Sequence, residues 1–167
     1  MRMLERLKAL EFDFNQFSMD DFVAHVEEQL NREIKLIGWE MPQGMYGAWI
    51  SIEDVAREYV FYNTIYSRHQ QVNSQLHELC HIICDHPTLK VSRAKLSELL
   101  EGGDLSSVFV KALLRSPDTS QEEIEAETMA ILVQESAANC NRLKQLMVPS
   151  TNEYSLRYLE KVGFGHV

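Results

Sequence analysis

Basic residues are scarce in this chain. Sixteen Lys and Arg stand against 25 Asp and Glu, for a formal net charge of −9. A nucleic-acid footprint needs clustered Lys and Arg, and an anionic membrane surface makes the same demand. Neither is expected as a direct partner, whereas a basic protein, such as a DNA-binding protein, suits an acidic chain. Long apolar runs are also missing: no stretch approaches the roughly 20 residues that span a bilayer. The opening "MRMLERLKAL" carries Glu5, Arg6 and Lys8 where a secretory peptide stays apolar. The expected compartment is therefore the cytoplasm. Three cysteines, Cys80, Cys84 and Cys140, are too few and too odd in number for a disulfide framework and fit a reducing compartment. Internal repeats and low-complexity tracts are absent.

What is present is ordinary globular material, with 45% hydrophobic and 25% charged residues in a length of 167, which suits one domain. Residues 2–10 read as a short helix. "SMDDFVAHVEEQLNRE" reads as a second, capped by Ser18 with Asp21 three residues on, and with Phe22, Val23, Val26 and Leu30 at helical spacing. The middle changes character. "EIKLIGWE", "YGAWISI" and "REYVFYN" are short, rich in β-branched and aromatic residues, and separated by turn signals such as Pro42-Gln43-Gly44. They predict a small, mostly antiparallel sheet of about three strands. From Arg68 the pattern is helical again. One helix is expected over 68–85, stopped by Pro87, and another in "SRAKLSELLEG". "SSVFVKALLRS", a long segment from about Ser120 to Leu146, and "NEYSLRYLEKVGF" follow. The expected fold class is α+β, with helices about 1–31 and about 136–167 packed on the core. The first of these either docks a partner or covers the sheet.

Within 68–85 stands "QLHELCHIICDHP". His77 and His81 are four apart, so both imidazoles share one helix face and can reach one metal ion. Glu78 lies about 100° round the helix from His77. It points beside such an ion, where a base acting on a water should stand, which is the mechanical sense of His-Glu-x-x-His. Leu76, Leu79, Cys80, Ile82 and Ile83 sink the helix into a core, and buried polar groups there need partners. Against this stands a half-exposed helix whose histidines bond locally. His86, five residues after His81, falls about 140° off its direction on a continuing helix and reads as a helix-end residue. Cys80 and Cys84 read as core thiols, with a zinc site of Cys80, Cys84 and His81 as the alternative.

A hydrolytic zinc site keeps three protein ligands and one open position. "SQEEIEAETMAILV" offers Glu122, Glu123, Glu125 and Glu127. Glu123 and Glu127 share a face, bordered by the small Ala126 and Ala130. Glu125 lies about 200° from Glu123 and cannot join it. The same acids also suit a helix start, since Thr119-x-x-Glu122 and Ser120-x-x-Glu123 are capping boxes.

"HELCHIICDH" followed after about forty residues by "EEIEAETMA", with "YVFYNTIYSRHQQVNSQLHE" leading in, resembles the ImmA/IrrE family of metallopeptidases. The likeness covers about residues 45–135. It implies a zincin-like core with a gluzincin-like zinc site: His77 and His81 as ligands, Glu78 as catalytic base, and Glu123 as third ligand, with Glu127 as second choice. Glu127 stands where the family usually carries Asn or Asp, where it would accept from a ligand histidine's free N–H. Met129 replaces a common Phe, and "ILVQE" replaces the family's usual ending. The resemblance further implies a cytoplasmic zinc endopeptidase that cuts a helix-turn-helix transcriptional repressor or antitoxin. An oxyanion stabiliser is expected among Tyr46, Tyr62, His69 and His86. The alternatives are a catalytically silent metal-binding regulatory or toxin–antitoxin module, and a plain helical interaction protein.

Overall fold

The computed structural model describes residues 3–101 and 120–147. The helices expected in "SSVFVKALLRS" and "NEYSLRYLEKVGF" lie outside the described residues, as does the Thr119 cap. Within them the chain is α+β. Helix α1 spans Met3–Ala9, a 3₁₀ turn Phe14–Gln16, and α2 Met19–Leu30. Strands β1 (Glu33–Trp39), β2 (Gly47–Ile52) and β3 (Arg57–Asn63) follow. Then come α3 (Arg68–Cys84), β4 (Leu89–Val91), α4 (Arg93–Leu100) and α5 (Ser120–Met147).

The sheet corrects the expectation of a mostly antiparallel, three-stranded one. It has four strands in the order β1-β3-β2-β4 and is mixed. β1 pairs with β3 in parallel, β2 with β3 antiparallel, and β2 with β4 in parallel. The physical reason lies in the 40–46 link. It is too long for a tight hairpin, so it passes the end of β3 and leaves a gap between β1 and β2 that β3 fills. β4 escapes notice because three residues carry no periodicity.

Side chains alternate across the strands and build a core on each face. Ile34, Trp49 and Val60 meet α2, α3 and α5 residues, including Phe22, Val26, Leu76, Leu79, Met129 and Val133. On the other face Ala48, Ile50, Ile52 and Phe61 pack with Met41, Met45, Leu89 and Leu96. One carboxylate is buried among the strands: Glu58 accepts from the Trp49 indole at 2.7 Å and from Arg32 at 3.3 Å. The N-terminal segment joins the helix-side core through Leu7, Leu10 and Phe22, with Phe12, Phe14 and Phe17 beside them. Arg6 donates to the Ile83 carbonyl at 3.1 Å, so α1 ties down the end of α3.

Helix α3 is cut to length at both ends. Ser67 and Gln70 form a reciprocal capping box. At the other end Asp85 takes the left-handed conformation, φ 55°. The His86 N–H then turns back to the His81 carbonyl at 3.1 Å. Ser18 caps α2 by accepting from the Asp21 N–H at 3.0 Å, but Asp21 bonds the Ser18 hydroxyl instead of completing the box.

Candidate metal centre

α3 and α5 pack against each other, and this pairing sets the site. The buried face of α5 carries Ala126, Met129, Ala130 and Val133 into the core. Ala126 and Ala130 are small enough to let α3 approach closely. Glu123, one turn before Ala126, then stands over the histidines of α3.

His77 Nε2 and His81 Nε2 face each other at 3.0 Å. Glu123 reaches both: Oε2 lies 3.2 Å from His77 Nε2, and Oε1 lies 3.5 Å from His81 Nε2. Ligand atoms of these three residues all fall within 4.8 Å of one another. Glu127 meets the other nitrogen of His77, its Oε2 at 3.4 Å from Nδ1. Among the described residues these three form the group that can hold a metal ion. Two imidazole nitrogens and a carboxylate oxygen are donors that suit zinc and other divalent transition ions. Cys80 and Cys84 are buried and do not join that group, which removes the Cys80–Cys84–His81 alternative. Burial pushes the Cys80 thiol well above its ordinary value.

A chain of contacts extends behind His81. His81 Nδ1 lies 2.9 Å from His86 Nδ1, His86 Nε2 lies 3.4 Å from Glu125 Oε2, and Gln121 donates to Glu125 Oε1 at 2.8 Å. One proton arrangement satisfies it all. With His81 Nε2 turned to the metal group, Nδ1 carries the hydrogen and donates to His86 Nδ1. His86 then carries its own hydrogen on Nε2 and donates to Glu125. Contacts of this kind fix the tautomer and ring orientation of a ligand histidine. His86 does follow the helix end, but it is buried, not a surface residue. The straight-helix angle fails because the left-handed Asp85 swings residue 86 back over the last turn. Glu125, off the Glu123 face as expected, serves this second line.

Electrostatics differ sharply along α3. Burial, with the neighbouring imidazoles of His77 and His86, drives His81 down to about 3, so it is neutral. A neutral imidazole is the form that binds metal. Glu78 is pushed up to about 7, chiefly by removal from water, with His77 opposing and Glu123 adding to the rise. A carboxyl poised there can exchange a proton near neutral pH.

Glu78 and His77 line a cavity of about 520 Å³ shared with Gly44, Tyr46, Gly47 and Ser74. Gly47, at the start of β2, is a close-approach glycine. A Cβ there would stand 2.5 Å from Ser74 Oγ and 2.9 Å from Glu78 Oε1. Of the four oxyanion candidates, Tyr46 lines the same cavity and stacks on Tyr66, ring centroids 4.6 Å apart. His86 is occupied behind His81. His69 meets Asn73 at 3.3 Å in the first turns of α3, and Tyr62 pairs with Gly47 across the sheet. The roles of His86, Glu125, Gly47 and Ser74 escape the sequence reading. An Asp before His-Pro was the one available signal, since Asp tolerates the left-handed turn.

Comparison with protein-family models, with curated proteins and with solved structures finds no match for this chain.

Proposed function

We propose that the chain is a zinc-dependent endopeptidase of the ImmA/IrrE type, cutting a helix-turn-helix repressor or antitoxin. One observation carries the reading: His77, His81 and Glu123, from two helices, converge within 4.8 Å, and Glu78 stands beside them in an open cavity. In this reading the two histidines and Glu123 hold zinc, and Glu127 orients His77 through Nδ1. Zinc bound there supplies an acidified water and a polarised carbonyl. Glu78 takes the proton from the water and returns it to the leaving nitrogen. His86 and Glu125 keep His81 Nε2 aimed at the site. Tyr46 is best placed to donate to the developing oxyanion. The net charge of −9 suits a basic, DNA-binding substrate.

The test uses untagged protein, its metal content, and a helix-turn-helix repressor encoded beside it. One zinc per chain, with a repressor cleaved by wild type and left intact by Glu78→Gln that still holds zinc, is the expected result. A zinc-loaded wild type that binds the repressor and never cuts it would make the protein a regulatory module. Absence of stoichiometric metal would remove both readings.

A further inference from the structure

The cavity beside Glu78 extends well past the metal group. Its walls are the 44–47 segment on one side and Gln70, Asn73 and Ser74 of α3 on the other. Those walls are held firmly. The Asn63 amide donates to the Met45 carbonyl at 2.7 Å and the Met41 carbonyl at 3.2 Å, and Tyr66 accepts from the Gly44 N–H at 2.9 Å. Ser74 is 7% exposed, and its hydroxyl has no hydrogen-bond partner. An unpaired buried hydroxyl costs free energy that an occupant with a hydrogen-bonding group would recover. Space for that occupant exists only because residue 47 has no Cβ. No Lys or Arg lines the cavity, and Glu78 and Glu127 stand at its metal end. An acidic side chain would meet repulsion there.

We propose that this cavity, on the peptidase reading, is a side-chain subsite selecting an uncharged carboxamide residue, glutamine or asparagine, next to the scissile bond. Ser74 is its specificity-determining residue. A carboxamide presents both a donor and an acceptor, and a rotating hydroxyl meets either. The amides of Gln70 and Asn73 complement the same group. An apolar side chain of equal length, such as methionine, leaves Ser74 unpaired, and sites built to hydrogen-bond a group discriminate strongly against its absence.

The experiment incubates the zinc-loaded full chain with a mixed peptide library and identifies the cut positions by mass spectrometry. In parallel, zinc-loaded Glu78→Gln is immobilised and the retained peptides are sequenced. Glutamine or asparagine is expected at one fixed position beside the cut, favoured at least tenfold over methionine in kcat/KM. In Ser74→Ala that ratio falls toward one while zinc stoichiometry stays at one. If the protein cuts nothing, the peptidase reading fails, and the same enrichment among retained peptides, lost in Ser74→Ala/Glu78→Gln, would still support the subsite. Cleavage and retention without carboxamide preference, a preference unmoved by Ser74→Ala, a preference for acidic residues, or neither cleavage nor retention would overturn it.

Discussion

His86 is the residue whose removal separates orientation from ligation. It touches His81 Nδ1 at 2.9 Å and is not among the three residues that can hold the ion. His86→Phe keeps the bulk and leaves His81 Nδ1 without an acceptor. Zinc affinity should fall about 10- to 100-fold, read by competition with a chromophoric chelator. Glu125→Gln should fall less, since a carboxamide still accepts from His86. Equal affinities in all three proteins would mean that the chain behind His81 does nothing for the ion. Glu78 and His81 also set opposite pH dependences for the metal-free chain. Glu78 holds a proton up to about 7 when folded and releases it near 4.5 when unfolded, so stability is lost as pH rises between those values. His81 refuses a proton down to about 3, whereas the unfolded residue takes it near 6.5, so stability is lost as pH falls through that window. Their slopes oppose each other between 4.5 and 6.5. Urea unfolding in chelator should therefore find Glu78→Gln more stable than wild type at pH 8, by up to about 3 kcal/mol, and little changed at pH 4.

At the scale of elements, the distance between β2 and α3 is set by the missing side chain at Gly47. Gly47→Ala should lower repressor cleavage at least tenfold by pressing on Glu78, while metal content and circular dichroism stay unchanged. The 40–46 link depends on Asn63, whose amide joins both Met41 and Met45. Asn63→Ala leaves buried backbone groups unpaired and should cost about 3 kcal/mol in chemical denaturation. These elements show what a sequence makes legible. The Ser67 cap and the apolar pattern of α3 were readable, and so was the facing of His77 and His81, because helix geometry is local. Glu123 was legible as a face shared with Glu127. The choice between them waits on how α5 docks, where Glu123 spans both imidazoles and Glu127 meets the outer nitrogen of one. Strand order was not legible, because insertion of β3 between β1 and β2 is a non-local choice. Nor was the return of His86, which depends on one left-handed residue.

For the whole molecule, metal and fold are coupled. An ion that binds only the folded chain stabilises it by about 2.7 kcal/mol at a hundred times its Kd. Zinc should raise the melting temperature by about 5–10 °C, reversed by chelator. The rise should be larger at pH 8 than at pH 6, because a cation favours the ionised Glu78 and removes the cost of its burial. No helix among the described residues is long and apolar enough to cross a membrane. The charge of −9 gives a second test at this scale: association with a basic repressor should slow as ionic strength rises, with the loss in the on-rate.

The imidazoles of the metal group come only from α3 and its carboxylate only from α5, some forty residues later. A nascent polypeptide that has emerged only as far as the histidines owns two of three grips on zinc and no complete clasp. The hydrolytic machinery thus stays unarmed throughout most of translation, and a ribosome stalled before residue 123 releases a harmless fragment instead of a stray protease.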